Sequence, residues 1–133
     1  SPQMNFLDAE IKENGSDLVA KIGNDEVVIP AEKAKVLKDK GYVGKTVVMG
    51  IRPEDLHGEG IVAETYPTSH FMFDVEVSEL LGHEFILHGR FGKQRLEAKV
   101  AARIEARPHE DIELAMDLSK VHFFDKETEE TII

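Results

Sequence analysis

The chain has 133 residues, no cysteine, and a formal net charge of −10 from 26 acidic and 16 basic side chains. That length suits one domain, or two small intimately packed ones, burying roughly two thirds of the unfolded surface. Disulfides and thiolate metal sites are excluded, and the charge argues against nucleic acid or anionic lipid as a partner.

Short period-two runs dominate the chain. Leu18, Ala20 and Ile22 share one face, with Val19 and Lys21 opposite. Val27-Val28-Ile29 form a short apolar strand after the turn Gly23-Asn24-Asp25. Pro30 to Lys40 breaks the alternation. Ala31, Ala34, Val36 and Leu37 fall among Glu and Lys, Pro30 suits a helix start and Gly41 a stop. Val47, Val48, Met49 and Ile51 read as a buried central strand. Gly50 inside it marks a bulge or a close backbone approach, and Arg52-Pro53 ends it because proline cannot donate a ladder hydrogen bond. Glu54 and Asp55 then enter a polar connection.

Phe71, Phe73, Val75 and Val77 are expected on one face of a longer strand, with Asp74, Glu76 and Ser78 opposite. Gly82 breaks that run. Phe85 and Leu87 alternate with Glu84, Ile86 and His88; Leu96, Ala98 and Val100 with Glu97 and Lys99; and Ile112, Leu114, Met116 and Leu118 with Glu113, Ala115 and Asp117. Turn signals at Asn14-Gly15, His57-Gly58 and Arg107-Pro108 separate the runs, and the Gly58-Glu59-Gly60 region is the expected joint. Lys126–Glu130 reads as a turn before a last strand at Thr131–Ile133. Many short antiparallel strands with one short helix define an all-β class, and a small OB-like barrel fits it. No apolar run approaches the roughly 20 residues of a membrane span, and no secretory signal is visible.

Several motifs fail on their geometry. Gly44-Lys45-Thr46 mimics the end of a phosphate-binding loop, but Asp39 occupies the place of the required glycine, and a helix precedes while a strand follows. His83 and His88 are five apart in a strand pattern, so they face opposite ways and make no zinc site. Pairs such as Glu54-Asp55, Glu110-Asp111 and Glu129-Glu130 are solvated faces of an acidic chain. Gly89-Arg90-Phe91-Gly92-Lys93-Gln94-Arg95 is a basic hairpin loop. Its cations and Phe71, Phe73, Phe85 and Phe91 would be the nucleic-acid candidates, but Phe71 and Phe73 fall on the core face. No catalytic, cofactor or metal residue emerges.

Three stretches carry a family resemblance. Val48-Met49-Gly50-Ile51-Arg52-Pro53-Glu54-Asp55-Leu56 resembles the signature of the C-terminal regulatory domain of sugar-importer ABC ATPases, the transport-associated OB (TOBE) domain. Ser1-Pro2-Gln3-Met4-Asn5-Phe6-Leu7 resembles the segment leaving the nucleotide-binding domain of that family. Val121-His122-Phe123-Phe124-Asp125, followed by Thr128, resembles its closing strand. Glu79 and Gly82 match its Glu-x-apolar-Gly element, although His83-Glu84 stands where a small polar residue is more usual.

The resemblance implies a single domain over 1–133, with two OB-like sub-barrels joined near 57–60 and an ATPase domain upstream. The absent initiator Met fits a fragment. It further implies no catalysis and no cofactor here, with ATP and magnesium held upstream. Expected partners are the chain's own ATPase domain, a second copy, the permease subunits and a regulatory protein, at the cytoplasmic face of the plasma membrane. Arg52, Glu54 and Glu79 are the interface candidates, because charged groups at strand ends need partners. Gly50, Pro53, Gly82, His122, Phe123 and Phe124 are the structural signature. The alternative is a small-ligand module for an oxyanion or sugar phosphate, with Ser78 and Arg52 as candidate contacts.

Overall fold

The computed structural model describes residues 3–58, 62–101 and 109–133. Expectations placed on Ser1, Pro2, Glu59, Gly60, Arg107 and Pro108 lie outside the described residues. In chain order the elements are β1 (Asn5–Asn14), β2 (Asp17–Ile22), β3 (Asp25–Val28), α1 (Ala31–Asp39), β4 (Thr46–Ile51) and β5 (Leu56–His57). There follow α2 (Val62–Thr65), β6 (His70–Leu81), β7 (Glu84–Phe91), β8 (Gln94–Ala101), β9 (Asp111–Met116) and β10 (His122–Phe124). Single 3-10 turns stand at Pro53–Asp55 and Leu118–Lys120.

The described strands form two five-stranded antiparallel sheets. The first runs β10-β4-β1-β2-β3 and the second β5-β9-β6-β7-β8. The expected central strand is central: β4 pairs with β1 on one side and β10 on the other. Val47, Met49 and Ile51 point into the core, while Val48 is half-buried on the other face. Pro53 opens the 3-10 turn and carries the chain to the second sheet, as its fixed φ and missing N–H favour. Helix α1 begins after Pro30, ends before Gly41 (φ +80°), and buries Ala34 and Leu37.

Both sheets contribute to one apolar cluster, with Leu7, Ile11 and Met49 from the first and Phe73, Leu87 and Leu114 from the second. Phe71 and Phe91 stack within it, ring centroids 4.0 Å apart. The sheets are also joined along β1 and β8 by two side-chain amides. Asn5 donates through Nδ2 to the Glu97 carbonyl and accepts the Glu97 N–H on Oδ1, both at 2.8 Å. Gln94 returns the arrangement: its Oε1 accepts the Asp8 N–H at 2.7 Å and its Nε2 donates to the Asp8 carbonyl at 2.8 Å. Asn5 to Glu97 and Asp8 to Gln94 follow one antiparallel register, so the amides stand in for backbone rungs.

Three expectations need correction. Val77 is off the core face and 50% exposed. The β6–β7 register slips between Val75 and Val77, and the extra residue of this bulge reverses the alternation beyond it. Asp55 is buried rather than solvated, with Lys120 Nζ 3.6 Å from its carboxylate. The last strand shrinks to a bridge between Thr131 and Phe124, supported by hydrogen bonds from the Phe123 N–H to Ile133 and from the Ile132 N–H to Phe123.

Candidate functional site

The outer face of the first sheet carries an apolar strip. Register places Phe6, Gly50 and His122 on one rung, and Asp8, Val48 and Phe124 on the next. Alternation turns Leu7 and Met49 inward and therefore leaves Phe6 and Val48 outside. Phe6 is 61% exposed and meets Phe124 edge to face, centroids 6.0 Å apart. Gly50 makes the strip flat. A Cβ there would lie 2.6 Å from Met4 Sδ and 2.9 Å from Phe124 Cε2, so neither could keep its place over β4. The close approach read from the sequence is this one, and the β4 register shows no bulge.

A shallow groove of 460 Å³ runs along the strip, walled by Phe6, Val48 and Phe124 and rimmed by Asp125, Lys126 and Glu129. Lys126 Nζ binds the Asp8 carboxylate at 2.8 Å across that rim. Asp125 is held by three donors: the Thr128 N–H at 2.8 Å, the Tyr42 hydroxyl at 2.7 Å and the Glu127 N–H at 2.9 Å. The Thr128 N–H, followed by Tyr42, keeps its carboxyl down at about 2. Donating to that carboxylate pushes the Tyr42 phenol up. The rim is therefore a fixed negative charge beside an apolar floor.

The sequence-derived interface residues do not form one cluster. Arg52 is exposed in extended backbone and continues the outward alternation of Val48 and Gly50, at the end of the strip. Glu54 borders a small pocket with His83, Glu84 and Lys99 near the tip of the β6–β7 hairpin. Glu79 lies on that hairpin and pairs with His88, whose Nδ1 is 3.3 Å from Glu97. Gly82, φ +63°, forms the hairpin turn with His83, where exposed Leu80 and Leu81 flank it. Phe123 is fully buried, while His122 and Phe124 are half-buried on the strip. Ser78 lies on β6 of the second sheet and Arg52 just past the end of β4 of the first, with no hydrogen bond between them, and no metal-holding group of His, Asp and Glu occurs among the described residues.

Sequence reasoning missed Phe6 as a surface residue, although an aromatic side chain opposite Leu7 on an alternating strand is a signal for it. It also missed Asn5, Gln94 and the Tyr42–Asp125 pair, whose partners lie 83 to 92 residues away in the chain.

Two antiparallel sheets on a shared core, with the short helices α1 and α2, form an OB-type fold. Residues 1–56 match the family model of the MalK OB fold domain. Similarity continues through the rest of the chain. It is 41% identical over 129 residues to the oligosaccharides import ATP-binding protein MsmX of Bacillus subtilis (strain 168), covering 97% of this chain and 34% of that protein. It is 41% identical over 132 residues to the multiple sugar-binding transport ATP-binding protein MsmK of Streptococcus mutans, covering 99% and 34%. With the trehalose/maltose import ATP-binding protein MalK of Thermococcus litoralis the identity is 34%, covering 99% and 35%. The chain thus spans about a third of the length of the curated relatives it matches, and the part matched is their C-terminal region. The cytoplasmic molybdate-binding protein ModG shares the fold, with TM-score 0.62 and 17% identity over 92% of this chain and 96% of that one. Among the described residues no helix is long and apolar enough to cross a membrane.

Proposed function

We propose that this chain is the C-terminal regulatory and dimerisation domain of the ATPase subunit of a sugar importer. The supporting observation is its end-to-end similarity to the C-terminal region of sugar-import ATP-binding proteins. Hydrolysis, with ATP and magnesium, belongs to the upstream domain, and this domain holds no cofactor. Its partners are that ATPase domain, a second copy, the permease subunits and a regulatory protein. The complex sits on the cytoplasmic face of the plasma membrane. Two domains that stay associated keep their ATPase domains at high effective concentration while these open and close. The strip of Phe6, Val48 and Phe124 supplies the apolar centre of the two-fold contact, with Arg52 at its rim. A two-fold contact needs one self-complementary patch, which a flat sheet face provides.

The test is sugar uptake by cells lacking the full-length protein. Uptake should return with the full-length chain and fail to return with a version truncated before this domain. Equal rescue by both would overturn the proposal. The isolated 133-residue chain should release no phosphate from ATP. Release above a blank, abolished by Lys45→Ala, would show that the Gly44-Lys45-Thr46 loop had been misread.

A further inference from the structure

A second surface feature lies away from the strip. A cleft of 610 Å³ opens beside α1, between the β1–β2 turn, the end of β3, the segment before β6 and the turn after β9. Its volume is within the range of small-molecule sites. Leu18, Ile29, Met116 and Leu118, all buried, give it an apolar floor. Tyr66 forms one wall, its ring held parallel to His57 with centroids 5.3 Å apart.

The polar groups narrow the choice of ligand. Ser69 is 6% exposed and lines the cleft. Its backbone is engaged, the N–H donating to Tyr66 and the carbonyl accepting from Met116, but its hydroxyl has no hydrogen-bond partner among the described residues. That hydroxyl is not enclosed, since Ser78 Oγ is the buried side-chain oxygen without a partner among the described residues; the Ser69 hydroxyl opens into the cleft, where a ligand hydroxyl can take the place of water. The charged lining is balanced: Lys35 and Lys38 against Asp17 and Asp39. Lys35 is already bound to Asp39 at 2.5 Å, which leaves Lys38 and Asp17 unpaired among the described residues. An oxyanion or sugar phosphate would find one free cation, Lys38, and the unpaired Asp17 carboxylate to repel it. A ligand hydroxyl both donates and accepts, so it can receive from Lys38, give to Asp17 and do either with Ser69. Its C–H faces can rest on the apolar floor.

We infer that this cleft binds a neutral polyhydroxylated ligand, a mono- or disaccharide. Its use as a brake, in which imported sugar acts back on the ATPase, rests on the function proposed above.

The experiment is an amide NMR titration of the 133-residue chain with glucose and maltose, and separately with glucose 6-phosphate and molybdate. The expected result is a saturable shift around Asp17, Lys38 and Ser69 with a neutral sugar, and weaker or no effect there with either anion. Asp17→Asn and Lys38→Ala should each weaken binding about tenfold, the scale of one charge-assisted hydrogen bond. Both sites are exposed, so the amide spectrum away from the cleft should stay unchanged; Ser69→Ala should also weaken binding. Absence of saturable shifts at the cleft up to tens of millimolar of either sugar would overturn the inference. So would tighter binding of an anion there, or shifts that map only to the Phe6 strip. Saccharide binding by a chain whose full-length protein supports no sugar uptake would remove the proposed function and leave the cleft standing. Uptake without cleft binding would do the reverse.

Discussion

At the scale of single residues, the two amide bridges between the sheets differ in surroundings. Asn5 is 9% exposed, whereas Gln94 meets Asp8 at an exposed edge. Asn5→Ala leaves the Glu97 N–H and carbonyl without partners where water is scarce, and should cost about 1–3 kcal/mol in urea unfolding. Gln94→Ala lets water take over and should cost less than about 1 kcal/mol. The reverse order would show that the Asn5 bridge does not hold the sheets. Asp125 gives a second residue-level test. Its folded-state value of about 2 lies below the ordinary 3.8. Its contribution to stability is therefore complete above 3.8 and is lost as pH falls from there through about 2. Because the Thr128 N–H outranks Tyr42 as the cause, Tyr42→Phe should raise the Asp125 value only part of the way. Carboxyl NMR titration checks this, and a return to 3.8 in the variant would give the whole effect to the phenol. The phenol has the opposite sign: raised in the fold, its contribution is complete below pH 10 and is lost as pH rises through the folded value.

At the scale of elements, β6 separates two neighbouring expectations. Phe73 is fully buried before the bulge and Val77 half-exposed after it. Phe73→Ala should cost about 3–5 kcal/mol, and Val77→Ser should stay within about 0.5 kcal/mol. Denaturant unfolding of both decides the matter, and a large cost at Val77 would move the bulge elsewhere. The alternation in β2, β7, β8 and β9, the helix bounded by Pro30 and Gly41, and the strand ended by Pro53 were legible because each is a local pattern. The bulge was not, since inserting one residue into a strand leaves an ordinary run of Val, Glu and Ser. The side chains on the strip were all visible, but their juxtaposition depends on which strands flank β4, and Phe6 and Phe124 are far apart in sequence. The saccharide cleft draws on still more segments, so Ser69 had no local signal at all. The TOBE resemblance singled out Gly50 and Pro53 for structural roles. It could not show that Arg52 continues the strip while Glu79 is tied to His88 on the other sheet.

At the scale of the whole molecule, association sets an apolar strip against net charge. Phe6, Val48, Phe124 and Met4 form a smaller surface than the roughly 800 Å² per partner of a stable interface, so the isolated domain should dimerise only weakly. Each copy carries a formal charge of −10, and like charges repel at long range. At about 0.15 M salt the Debye length is about 8 Å and most of that repulsion is screened. The dimer should therefore strengthen as salt rises from low to moderate, as read by sedimentation velocity. Phe6→Ser should weaken it at every salt without loss of fold, because that ring is mostly outside the core. Arg52→Ala should change it less and mainly at low salt, as expected for an exposed rim charge. A dimer that weakens steadily with salt would be held by ion pairs and would refute the apolar contact. A chain monomeric at high concentration and every salt would place the dimer contacts in the ATPase domain or the permease. Indifference to Phe6→Ser with dimerisation intact would move the interface off this sheet, leaving the exposed Leu80 and Leu81 at the β6–β7 tip as the next surface to mutate.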